Sequence, residues 1–279
     1  MPVEVIIPVK DRAEVRQCIL SLLPLQQIGR IWLCDGGSLK PDCLAALQAV
    51  AHYERVQWLQ LPMSGFNKSY LLNQGILRTT SEYLLISDAD ILWNAETIQA
   101  MVQEVSTQNE TICSINEVQE SDLASVSLRR DRYTYRITTD SDTAQVEILP
   151  VKLSHVQVRP GCGLICTLRN TLLKLGGYQE CFQGWGWEDQ DLLMRARLSG
   201  IQLHVAGSVV HLSHGDEQRN QHFHHLRPSE TRDRNILFCV SRLANGKVLG
   251  DLLLGASSQK QHQTIHIQLP KALSHQSES

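Results

Sequence analysis

Short apolar runs alternate with stretches of helical period through the first half of the chain, and that alternation fixes the class of fold. Val3–Val9 has the length and composition of a buried strand, and Arg12–Leu23 repeats at helical spacing and stops at Pro24. Ile31–Cys34 is a second short strand, closed by the turn Asp35-Gly36-Gly37-Ser38. Lys40–Tyr53 reads as a helix, Val56–Leu61 as a strand, Phe66–Leu77 as a helix and Tyr83–Ser87 as a fourth strand. Strands that alternate with helices imply an α/β fold, a mostly parallel sheet with helices on both faces. Such sheets bind ligands at the carboxyl ends of their strands. The loops after Val9, Cys34 and Ser87 are therefore where chemistry is expected.

The second half is less regular. Ser125–Val158 carries β-branched residues without helical period and reads as short strands and loops. Leu168–Leu175 is a short helix ended by Gly176-Gly177, and Glu188–Leu198 is another with Gly200 past its end. Gly215–Arg234, rich in His and Arg, reads as a mobile loop, and 257–279, rich in Gln, His and Ser, as a disordered tail. The expectation is one domain over 1–256, with a first half of about 1–115 and a second of about 116–256.

Composition closes off several classes. With 26 basic against 29 acidic residues, the net charge of −3 offers no basic excess for nucleic acid. The amino terminus has no basic start before a long apolar run, and no stretch approaches the ~20 apolar residues of a membrane span. The expected address is the cytoplasm. The eight cysteines fit no zinc spacing and read as free buried thiols, with Cys162/Cys166 a pair close enough in sequence to bridge.

Three strings carry chemistry. Ser87-Asp88-Ala89-Asp90 places two carboxylates at the tip of a strand, where hard oxygens suit Mg²⁺ or Mn²⁺; a solvated turn has the same look. Val210-His211-Leu212-Ser213-His214 sets two imidazoles three residues apart, which with a carboxylate would tilt a site toward Mn²⁺. Phe182-Gln183-Gly184-Trp185-Gly186-Trp187-Glu188-Asp189-Gln190-Asp191 offers a flat aromatic surface for a sugar ring, followed by acids that open a helix.

In this order the strings, together with Ile6-Ile7-Pro8-Val9-Lys10-Asp11-Arg12 and Phe66-Asn67-Lys68-Ser69-Tyr70-Leu71-Leu72-Asn73-Gln74-Gly75, resemble the galactosyltransferase-type branch of inverting glycosyltransferases. The likeness is to the β-1,4-galactosyltransferases and bacterial chondroitin polymerase catalytic domains, and it covers roughly Val3 to Arg234. It implies the nucleotide-diphospho-sugar transferase (GT-A) fold, with the nucleotide in the first half and the acceptor in the second. It also implies a UDP-sugar donor and a divalent cation, Mn²⁺ or Mg²⁺. The acceptor would be a glycan, a lipid-linked sugar or a peptide. By the same resemblance Pro8, Lys10, Arg12 and Asp35 hold the nucleotide, with Lys68 close by. Asp88 orients ribose or a metal-bound water, and Asp90, His211 and His214 hold the metal. Asp189 is the general base, Glu188 fixes sugar hydroxyls and Trp185 bridges donor and acceptor. Crowding by Glu188 and Asp191 would raise the pKa of Asp189, and the helix start would lower it.

This sequence departs from the family pattern in three places. Trp187 stands where the motif usually has Gly, and His211 where the animal enzymes have Met. Arg159-Pro160 stand near the place of a donor-selecting aromatic, just before Gly161 and Gly163. The alternatives are a retaining enzyme resembling the polypeptide N-acetylgalactosaminyltransferases and a catalytically silent nucleotide-sugar-binding module. A nucleotidyltransferase would need a glycine-rich loop that Lys10-Asp11-Arg12 does not provide.

Overall fold

The fold is built around the first strand. In the computed structural model, which describes residues 2–108, 110–123, 132–140, 142–151, 158–218, 221–223, 226–252 and 264–274, all seven residues of β1 (Val3–Val9) are buried. A strand covered on both faces needs apolar residues at consecutive positions. Its side chains divide with period two. Val3, Val5, Ile7 and Val9 join the core on one face, and Ile6 that on the other.

The elements that follow are α1 (Val15–Leu22), β2 (Ile28–Asp35), α2 (Pro41–Val50), β3 (Val56–Gln60), α3 (Lys68–Arg78), β4 (Tyr83–Ile86), β5 (Ile91–Leu92) and α4 (Ala95–Thr107). The second half supplies β6 (Thr111–Glu120), β7 (Arg132–Thr139), β8 (Thr143–Val151), β9 (Val158–Leu168), α5 (Arg169–Lys174), α6 (Glu188–Leu198), β10 (Gln202–His211), α7 (Pro228–Ala244), β11 (Thr264–Gln268) and α8 (Lys271–Ser274). Eight strands form one sheet in the order β3-β2-β1-β4-β9-β6-β10-β5. The sheet is mixed. β1 to β4 run parallel, as do β6 and β10, whereas β9 is antiparallel to both its neighbours and β5 is antiparallel to β10. Helices α1, α2 and α4 pack on one face, with Cys18, Leu47 and Met101 in its core. Helices α3, α5 and α6 pack on the other, with Leu72, Leu172 and Leu192.

A second sheet, β11-β8-β7, lies against α7. Ala144, Val146 and Ile148 alternate inward from β8 and share a core with Ile236, Cys239 and Leu243 of α7 and with Trp187. Two expectations need correction here. Within the stretch read as a disordered tail, Thr264–Gln268 is a strand paired in parallel with β8, and Ile265 is buried. Within the stretch read as a loop, residues from Pro228 onward are helical, because Pro228 occupies the first turn and Glu230 accepts the Arg227 N–H. Of these stretches, 219–220, 224–225, 257–263 and 275–279 lie outside the described residues. All eight cysteines are free, Cys162 and Cys166 included. Among the described residues no helix is long and apolar enough to cross a membrane.

Candidate active site

Strand register brings the metal-type ligands together. At the edge of the large sheet β10 lies between β5 and β6, and His211 stands opposite Ile91 on one side and Glu120 on the other. Asp90 directly precedes Ile91, and its carbonyl accepts the Leu212 N–H at 2.8 Å. Asp90 Oδ2 lies 3.6 Å from His211 Nε2 and 3.3 Å from His214 Nε2. The three ligand atoms fall within 4.8 Å of one another, and all three residues are buried. Burial opposes the charge of Asp90, but hydrogen bonds with the two imidazoles outweigh it and hold its pKa well below the usual carboxylate range.

Both imidazoles are oriented from behind. His214 Nδ1 is 3.0 Å from the Gly215 carbonyl, and His211 Nδ1 is 2.5 Å from Glu120 Oε2. An acceptor behind Nδ1 keeps a proton on that nitrogen and directs Nε2 at Asp90, to which it donates when the ring is charged and where its lone pair is free when the ring is neutral. Burial lowers the pKa of His211, but Asp90 and Glu120 prevail and raise it to about 9. The sequence does not single out Glu120, because nothing local marks it apart from Glu117 three residues before it. Only the register of β6 reveals it.

The acids of the aromatic string form a separate cluster around Lys68. Its Nζ lies 2.9 Å from Asp88 Oδ1, 3.1 Å from Asp189 Oδ2 and 3.5 Å from Glu188 Oε1. Lys68, expected close to the nucleotide, is the first residue of α3 and reaches these three carboxylates, Asp88 among them. Asp88 and Asp90 thus serve different clusters: extended backbone would put them on one face, but Ala89 and Asp90 lie in the turn between β4 and β5, which parts them. Burial works against the Lys68 ammonium, but Asp189, Asp88 and Glu188 outweigh it and keep its pKa well above the ordinary value. Burial, reinforced by Asp189, lifts Glu188 to about 7. Burial also raises Asp189, with Lys68 opposing.

Asp191 plays no part in that crowding. It turns inward to Arg195 at 2.7 Å, with both side chains fully buried. Arg195 also donates to the carbonyls of Leu175 and Gly177 at 3.0 and 2.9 Å, so this pair anchors α6 to the turn after α5. At the start of the helix Trp187 has φ +80°, a left-handed conformation suited to glycine. Its ring is buried beside α7. The turn before it is pinned by Thr231, whose Oγ accepts the Trp185 N–H at 3.2 Å and donates to the Trp185 carbonyl at 3.0 Å. Register in β9 slips between Ile165 and Gly161, a bulge that carries Gly163 under Asp189.

The residues expected to hold the nucleotide divide. Arg12 faces the metal-type cluster, 4.0 Å from Asp90 Oδ2, and also donates to the Gln218 side chain. Lys10 is buried, and its Nζ donates to the carbonyls of Met63 and Gly65 at 2.8 and 2.7 Å. Asp35 is committed to its own turn, accepting the N–H groups of Gly37 and Ser38 and the Ser38 hydroxyl, while its other oxygen accepts the Trp58 indole N–H. Pro8 lies buried in β1 opposite Cys34.

Residues 4–156 match the model of glycosyl transferase family 2, and residues 155–225 match the model described as the N-terminal domain of galactosyltransferase. The first match spans more than half of the chain, and the chain belongs to glycosyl transferase family 2. Its fold is similar to that of GalNAc-T7, crystallised with UDP, GalNAc and Mn²⁺, at 14% identity and a TM-score of 0.61 over 86% of this chain and 48% of that one. The chain therefore spans about half the length of GalNAc-T7. It is also similar to the mannosyltransferase PcManGT from Pyrobaculum calidifontis, in complex with GDP-Man and Mn²⁺, at 16% identity and a TM-score of 0.52 over 88% and 71% of the two chains. These likenesses establish the GT-A fold.

Proposed function

We propose that the protein transfers a sugar from a UDP-sugar to an acceptor hydroxyl in a single, inverting displacement that depends on a divalent metal. The donor sugar is a galactose, a glucose or an N-acetylhexosamine, and the acceptor a glycan, a lipid-linked sugar or a peptide. Residues 1–115 serve mainly the nucleotide and 116–256 the acceptor. The observation that carries this reading is the state of Asp189. One oxygen pairs with Lys68, whereas Oδ1 is buried without a hydrogen-bond partner among the described residues. A buried carboxylate oxygen with no donor is costly unless a donor arrives, and an acceptor hydroxyl is such a donor. Asp189 takes that proton as the hydroxyl oxygen bonds to the anomeric carbon and the bond to the nucleotide breaks.

The donor set fits a metal. Asp90 Oδ2 and two imidazole nitrogens converge, with both Nδ1 atoms already turned to acceptors. Nitrogen ligands favour Mn²⁺ over Mg²⁺. The Mn²⁺ named with GalNAc-T7 and with PcManGT supports the same choice. When bound, the ion neutralises charge developing on the leaving diphosphate. Arg12 stands beside Asp90 to add to that neutralisation. Lys68 keeps Asp88, Glu188 and Asp189 gathered, and Glu188, its pKa near 7, can donate to or accept from a sugar hydroxyl.

The test is a screen of UDP-sugars with Mn²⁺, followed by proton NMR of the product. An anomer opposite to the donor's supports inversion, and a retained anomer overturns it. Full turnover in EDTA removes the metal from the mechanism.

A further inference from the structure

We propose that Glu120 is a positioning residue that makes His211 a metal ligand and thereby sets the preference of the site for Mn²⁺ over Mg²⁺. The inference rests on the reading of Asp90, His211 and His214 as a metal site. For Nε2 of His211 to coordinate, the one remaining ring proton must sit on Nδ1, and a buried Nδ1–H needs an acceptor. Glu120 Oε2 is that acceptor, 2.5 Å away on the neighbouring strand.

Glu120 is itself surrounded by donors. Arg159 Nε donates to its Oε1 at 3.1 Å and the Ser213 hydroxyl to its Oε2 at 2.9 Å. The Ser213 oxygen already accepts the Asp122 N–H at 3.0 Å, so its own proton goes to Glu120. The Glu120 side chain is only 3% exposed, so water has little room to substitute. Three donors converge on one acceptor-only group. An amide there would turn an N–H toward at least one of them, and only a carboxylate satisfies all three.

The competing view makes Glu120 an ion-pair partner that ties β6 to Arg159 of β9 and does nothing for the metal. Metal selectivity separates the two. Mn²⁺ and Mg²⁺ carry the same charge, so the long-range effect of removing a carboxylate cancels in the ratio of their affinities. The loss of an imidazole ligand does not cancel, because nitrogen suits Mn²⁺ and oxygen suits Mg²⁺.

The experiment titrates the full chain with Mn²⁺, followed by electron paramagnetic resonance of the free ion, and with Mg²⁺ in competition. Glu120→Gln should weaken Mn²⁺ binding by about 10–100-fold and Mg²⁺ binding much less. Arg159→Met, which cuts the ion pair but leaves the carboxylate against His211, should keep the ratio within about twofold of the original. Should Glu120→Gln fail to fold, Glu120→Asp takes its place. It retains the charge but draws the oxygen back by one methylene, and the ratio should fall again. An unchanged Mn²⁺ to Mg²⁺ ratio in the Glu120 variant, or an equal fall of the ratio in Arg159→Met, overturns the proposal. Asp90→Ala isolates the underlying reading. If it binds Mn²⁺ as the parent does, the metal site itself is wrong; if it abolishes binding while the Glu120 ratio stays fixed, only the positioning role is lost.

Discussion

Gly163 and Asp189 touch: a Cβ at Gly163 would overlap Asp189 Oδ2 and lie 2.6 Å from its Cγ. The bare backbone of the β9 bulge is therefore the seat of the proposed base. Gly163→Ala should push the carboxylate aside while leaving the metal cluster untouched. A displacement of about 1 Å costs on the order of 10²-fold in turnover. We expect kcat to fall on that scale with Mn²⁺ affinity unchanged. Steady-state kinetics paired with Mn²⁺ titration check it, and a fully active Gly163→Ala enzyme would show that the seat is not used.

Asp189→Asn keeps the shape of the side chain but cannot take a proton. Loss of a general base costs ~10²–10⁴ in rate. UDP-sugar affinity should remain near normal, since that binding is assigned to the metal cluster and the nucleotide loops. A carboxylate that merely complements the helix start contributes ~0.3–1 kcal/mol of stability. On that view the melting temperature would drop slightly and turnover would persist, so measuring both on one protein separates the two roles.

Metal binding should depend on pH through His211. Its pKa of about 9 means that the metal-free protein carries an imidazolium at neutral pH. Coordination requires the Nε2 lone pair, so binding expels a proton. The sign follows: Mn²⁺ affinity rises with pH, by up to about tenfold per unit, and levels off above about 9. Titrations at pH 7, 8 and 9 give the slope, and a flat profile would exclude His211 as a ligand.

Trp187 sets two effects against each other. Its left-handed backbone, φ +80°, costs a non-glycine residue ~1–2 kcal/mol. Its ring is buried with Met194, Leu198 and Cys239, and removing such a ring costs ~3–5 kcal/mol. Packing is the larger, so Trp187→Gly should destabilise by about 2 kcal/mol. Urea unfolding measures the difference, and a more stable variant would mean that strain outweighs packing here.

Much of this was legible in the sequence. Val3–Val9 and Glu188–Leu198 coincide with β1 and α6, because a fully buried strand and a helix opening on acids leave strong local patterns. What escaped notice depends on partners distant in sequence. Thr264-Ile265-His266-Ile267-Gln268 alternates as a strand should, but its polar surroundings hid it until β8 supplied a neighbour. The place of Lys68 near the nucleotide is a local reading; its pairing with Glu188 and Asp189 is not, since nothing local says that α3 begins opposite α6. Asp191 and Asp189 looked equivalent two residues apart, yet one faces Arg195 in the core and the other Lys68. Glu120 becomes visible only once three strands are laid side by side.

The parallel pairing of β11 with β8 has a consequence for synthesis. β8 is the middle strand of its sheet, so until Thr264–Gln268 leaves the ribosome one of its edges stays open. At ~5–20 residues per second the wait lasts on the order of ten seconds. An unpaired edge is a template for strands of other chains. A nascent chain halted before β11, or a product clipped there by a protease, would present that edge, and Val146 and Ile148 would lose the cover of Ile265. A strand made long after its partner is thus the one that covers the β8 edge and the apolar residues beside it.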